Sequence, residues 1–98
     1  MALNSLQRAV DFIKAFTDRG VTVKLKADGS TPATLNPPAD GFTEEWLGRY
    51  LQDEVRLPNF QDAMRQKGHG SIYLTTAHAE SVLHIRVLPG PIIFHYVD

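Results

Sequence analysis

Over the last third of the chain, apolar and polar residues alternate with a period of two. Three runs carry the pattern: Ser71-Ile72-Tyr73-Leu74-Thr75-Thr76, Ser81-Val82-Leu83-His84-Ile85-Arg86-Val87-Leu88 and Ile92-Ile93-Phe94-His95-Tyr96-Val97. They are rich in β-branched and aromatic residues and are separated by turn-forming segments, which predicts a three-stranded antiparallel meander. A turn around His78-Ala79 sets Leu74 opposite Leu83 and Ile72 opposite Ile85. A turn around Pro89-Gly90 sets Val87 opposite Ile92, Ile85 opposite Phe94 and Leu83 opposite Tyr96. Both registers gather Ile72, Leu74, Leu83, Ile85, Val87, Ile92, Phe94 and Tyr96 on one face, and a one-residue slip would destroy that agreement. The other face carries Ser71, Tyr73, Thr75, Val82, His84, Arg86, Ile93, His95 and Val97, with Tyr73, His84 and His95 in one row. Pro-Gly favours a type II turn, which splays a two-residue hairpin, so a four-residue loop is preferred; the parity is unchanged.

The preceding segments follow a helical period. Leu6, Ala9, Val10, Ile13 and Phe16 recur at helical spacing after an Asn4–Gln7 capping box and before Gly20, predicting a helix from about residue 5 to 18. Arg8, Asp11, Lys14 and Asp18 make its polar side, so the apolar stripe reads as core packing and not as a membrane anchor. Val21 to Lys26 alternates as a half-buried strand with Thr22, Lys24 and Lys26 outward. Residues 27–41 form an extended connection with Gly29, Pro32, Pro37 and Pro38; Ala33-Thr34-Leu35 is a candidate short return strand after the Asp28-Gly29 turn. Surface connector is the preferred reading of this loop over a binding loop. Thr43 caps the next helix, with Phe42 and Leu47 as a hydrophobic staple and Trp46, Leu47, Tyr50, Leu51 and Val55 as its buried stripe. After the break at Leu57-Pro58-Asn59, a short third helix runs from Phe60 to Lys67, capped by Asn59 and ended by Gly68.

These elements define a single α+β domain over residues 1–98. It is a two-layer sandwich in which an antiparallel sheet, the C-terminal meander plus one N-terminal strand, is covered on one face by three helices. Apolar residues make up 43% and charged residues 21% of the chain, the balance of a globular protein and not of a disordered one. The formal charge of -1 argues against holding nucleic acid or an anionic membrane by bulk electrostatics. The absence of cysteine removes disulfides and thiolate chemistry and fits a reducing compartment. No apolar run reaches membrane-spanning length and no signal pattern opens the chain, so a cytoplasmic protein is expected. The helix ending in Gly20-Val21, the strand it enters and the helix pair in Asp40 to Gln66 resemble, in order and polarity, the small docking domains of bacterial megasynthases. The chain lacks their clear second strand and adds the meander, and no residue role follows from the resemblance.

Candidate chemistry is sparse. There is no phosphate-cradling glycine loop, nucleophile elbow or zinc spacing, and no cofactor is expected. His84 and His95, placed opposite one another, would bring two imidazoles together for a metal or for general-base work. Two ligands fall short of the three or four that transition metals take, and paired surface histidines are the preferred reading. On the same face Tyr73 has a ring for base stacking, and Arg86, with Lys24 and Lys26 if the first strand lies alongside, has charge for phosphates; this nucleic-acid reading is the alternative. The preferred expectation is a non-enzymatic protein-interaction module, an adaptor or an inhibitor. Its partner, a second protein or a second copy, would be bound through Tyr73, Val82, His84, Arg86, Ile93, His95 and Val97.

Overall fold

The computed structural model describes residues 5–77 and 81–97. In chain order these form α1 (Gln7–Thr17), β1 (Val23–Ala27), β2 (Ala33–Thr34), α2 (Glu44–Arg56), α3 (Pro58–Lys67), β3 (Gly70–Thr76), β4 (Val82–Leu88) and β5 (Ile93–Val97). The strands make one sheet of order β2-β1-β3-β4-β5, antiparallel at every pairing. The first strand therefore joins the meander on the β3 side, and the candidate return strand exists as β2, with Lys24 opposite Thr34.

Side-chain parity sets the layers. Val23, Leu25, Ala27, Ile72, Leu74, Leu83, Ile85, Val87 and Phe94 point to one side and are buried with Ala9, Val10 and Ile13 of α1, Leu47, Leu51 and Val55 of α2, and Phe60 and Met64 of α3. This is the α+β sandwich: helices seal one sheet face because each offers one apolar stripe to it. No helix among the described residues is long and apolar enough to cross a membrane.

The helix ends show why the chain turns where it does. Val21 N donates to Phe16 O and Gly20 N to Thr17 O, with Gly20 at φ 78°, a Schellman closure that hands α1 to β1. Thr43 Oγ1 accepts from Trp46 N at 3.1 Å, and Phe42 and Leu47 are both buried, so cap and staple fix the entry to α2. Two expectations are corrected. Asn59 is not the cap of α3: the helix starts two residues earlier, with Leu57 as the N-cap residue and Pro58 in its first turn, where a missing N–H costs nothing. The Asn59 amide instead donates to Gly29 O at 3.2 Å. Asn4 lies outside the described residues, and the start of α1 is held by Glu44, whose Oε1 accepts from Leu6 N at 2.8 Å and from Ser5 Oγ at 2.7 Å.

The first hairpin register is as expected, with Ile72 opposite Ile85 and Leu74 opposite Leu83; its tip at His78-Ala79 lies outside the described residues. The second hairpin turns through the four residues Pro89–Ile92, so Val87 meets Phe94 and Ile85 meets Tyr96. Two consequences correct the sequence reading. Ile92 sits in the turn, 38% exposed, and not on the buried face. His95 pairs with Arg86 while His84 pairs with Val97, so Tyr73, His84 and His95 do not share a row. The longer loop shifts β5 by two residues, which preserves which face each side chain occupies and changes its neighbour.

Candidate functional site

The sheet face away from the helices is built as a lattice of cross-strand rows. Lys24, Thr75 and Val82 form one row, Lys26, Tyr73, His84 and Val97 the next, and Ser71, Arg86 and His95 the one after. The backbone of Asp28 extends this last row, its N–H donating to Ser71 O at 3.0 Å. All seven expected binding residues are on this face. Val82 is 54% exposed, while Tyr73, His84, Arg86, Ile93, His95 and Val97 are half-buried. Lys24 and Lys26 join them because β1 lies beside β3.

In the middle of the face the Tyr73 and His84 rings stack, with centroids 4.4 Å apart and planes inclined by 20°. One face of the tyrosine ring is thereby covered by the imidazole. His84 Nε2 is 3.0 Å from Ser71 Oγ, which fixes the ring from the neighbouring strand. Burial lowers the His84 pKa, and the positive charges of Arg86, His69 and Lys67 push it the same way against the opposing pull of Asp28. At neutral pH His84 is therefore an uncharged imidazole.

Asp28 completes the corner. Its Oδ2 accepts from Ser71 N at 2.8 Å and from Lys67 Nζ at 2.5 Å. Burial raises the Asp28 pKa, but Lys67, the Ser71 amide and Lys26 together outweigh that and hold the carboxyl below its ordinary range. Aspartate, serine and histidine thus meet here, but the carboxylate is spent on Lys67 and a backbone amide, and Ser71 is only 3% exposed. The arrangement is a hydrogen-bonded strut under the face, not a carboxylate orienting the histidine as a base. Among the described residues no three His, Cys, Asp or Glu side chains come together as metal ligands.

Arg86 stands apart. It takes part in none of the ion pairs among the described residues, and its Nε is buried without a hydrogen-bond partner there. Asp28 is the one carboxylate of this face among the described residues. The carboxylates of Glu44, Glu45, Asp53, Glu54 and Asp62 are carried by α2 and α3. Lys24, Lys26 and Arg86 give the open sheet face a positive balance, whereas α1, α2 and α3 carry carboxylates and cations in equal number.

Sequence reasoning missed Asp28, Lys67 and His69 because they come from the turn after β1 and from the junction between α3 and β3, outside the regular strands. Parity held a partial signal: residues 24, 26, 28 and 69, 71, 73 continue the outward positions of β1 and β3. Comparison of the chain with protein-family models, curated proteins and solved structures finds no match. The likeness to docking domains stays one of element order and polarity.

Proposed function

We propose that this chain is a small non-enzymatic interaction module of the cytoplasm, an adaptor or an inhibitor, that binds a protein partner through the open sheet face. The observation that carries the reading is the composition of that face. Val82 is 54% exposed, and half-buried Ile93 and Val97 lie among Tyr73, His84 and Arg86. Aliphatic surface set with tyrosine and arginine is the material of interface centres, where a few such side chains carry most of the binding free energy. An antiparallel sheet also tolerates one solvated face, so the test must separate use from tolerance. In affinity capture from the native cell lysate, replacing Arg86 and Ile93 together by Ser should abolish retention of the partner while the folded spectrum is unchanged. Undiminished retention refutes the site.

A second reading is favoured by one observation: β1 beside β3 sets Lys24 and Lys26 on the same face as Tyr73 and Arg86. That is the layout of a single-strand nucleic-acid platform. The His84 ring over Tyr73 weighs against it, because a base needs an open aromatic face on which to stack. Binding of an oligonucleotide that collapses steeply with salt would favour it.

A further inference from the structure

We propose that the partner of the open sheet face is an acidic protein surface: a carboxylate of the partner engages Arg86, aliphatic side chains beside it rest on Ile93 and Val97, and a second copy of this chain does not fit. The inference rests on the protein-interface reading and gives that partner its chemistry.

Three features of the face converge on an anion. Arg86 is only half-buried on this face and takes part in no ion pair among the described residues, so its charge is open to an incoming carboxylate. Asp28, the one carboxylate of this face among the described residues, is already paired with Lys67, which leaves the Arg86 charge unopposed there. Lys24 and Lys26 extend the positive field along β1, on the same side as Tyr73 and Arg86. A guanidinium takes a carboxylate through parallel N–H donors, with both geometry and charge matched.

The same charge pattern disposes of the self-complementary alternative. A two-fold dimer through this face would bring two surfaces of the same positive balance together, which like-charge repulsion disfavours. The carboxylates on α2 and α3 lie on the opposite layer, so matching them to this face is a head-to-tail contact and not a two-fold dimer.

The test uses the full chain, labelled for amide NMR, titrated with a synthetic peptide alternating Glu and Val and with the same peptide carrying Lys in place of Glu. The Glu/Val peptide should shift amides of β3, β4 and β5. Arg86→Gln should weaken it about tenfold, the scale of one lost charge-assisted hydrogen-bonded pair. Lys14→Gln, a cation on α1, should not change it. Equal shifts from the Lys/Val peptide leave the interface in place and overturn the acidic partner. If neither peptide touches the face and the Arg86/Ile93 replacement leaves capture intact, the interface reading falls as well. A single-stranded RNA oligonucleotide bound to the same amides more tightly than the Glu/Val peptide overturns the proposal. So does a concentration-dependent dimer that dissociates in Arg86→Gln.

Discussion

The Tyr96 hydroxyl accepts from the backbone N–H of Ala9 at 3.1 Å and donates to Ser5 O at 3.2 Å, so the last strand caps the first helix. Ala9 is in the first turn of α1, where amides have no partner inside the helix; Ser5 Oγ accepts from Gln7 N at 3.0 Å, and Leu6 at the N-cap has no side chain that could cap Ala9. Arg8 lies over the Tyr96 ring with its guanidinium carbon 4.8 Å from the centroid, adding a cation–π contact to the clasp. Tyr96→Phe removes both hydrogen bonds and keeps the ring. We expect a loss of about 1 kcal/mol in chemical denaturation, the usual scale of a lost cap. Faster hydrogen exchange at Ala9 than in the parent protein is the local signature.

Gly70 opens β3 with no room for a side chain. A Cβ there would lie 2.3 Å from Phe60 Cζ and 3.1 Å from Met64 Cγ. Phe60 is fully buried where α3 packs on β3, and the glycine lets its ring lie against the strand backbone. Gly70→Ala should destabilise by about 1–3 kcal/mol through overpacking. The double replacement with Phe60→Leu should cost less than the sum of the two single changes, since the smaller side chain frees the volume the methyl needs. Strict additivity in denaturant titrations would contradict this packing.

How far such contacts were visible in advance differs by element. The β3–β4 register follows from alternation alone, because Ile72, Leu74, Leu83 and Ile85 leave a single pairing that buries them all. The β4–β5 pairing follows from turn chemistry and not from alternation: Ile92 and Ile93 are both strong strand formers, and it is the preference of Pro-Gly for a four-residue loop that points to Leu88 opposite Ile93. Asn59 reads as a cap from local sequence, yet it reaches Gly29, thirty residues away, which no window of local sequence contains. The binding-face residues were legible as a set for the same reason as the core, by parity. Their neighbours were not, because Asp28, His69 and Lys67 lie outside regular strands.

Acid should weaken the fold in two steps with distinct owners. The His84 pKa lies below its ordinary value, through burial and then the charges of Arg86, His69 and Lys67, with Asp28 opposing. As pH falls from about 6.5 the unfolded chain therefore takes up that proton before the folded one. Stability is full above that pH and is lost down to the folded-state pKa of His84. Asp28 is likewise held low, so its contribution is present above the ordinary carboxylate range and is lost as pH falls through its folded value. In melting temperatures recorded against pH, His84→Gln should flatten the upper step and Asp28→Asn the lower one. An upper step that survives in His84→Gln would assign it to another group.

Val82 and Ile85 lie three residues apart on β4 and should respond oppositely to truncation. Val82 is 54% exposed on the open face and Ile85 fully buried beneath the helices. Val82→Thr keeps the β-branched shape that suits a strand and removes one methyl from a surface that already meets water. The change in stability should stay within about 0.5 kcal/mol. Ile85→Ala empties a site walled by Ile72 across β3 and Tyr96 across β5, and should cost about 2–5 kcal/mol as a cavity. Partner retention should move the other way, falling in Val82→Thr and persisting in whatever fraction of Ile85→Ala remains folded. Denaturant titration and capture on the same two proteins therefore separate what the strand does for the core from what it offers to a partner. A stability loss in Val82→Thr as large as in Ile85→Ala would mean that the open face is covered.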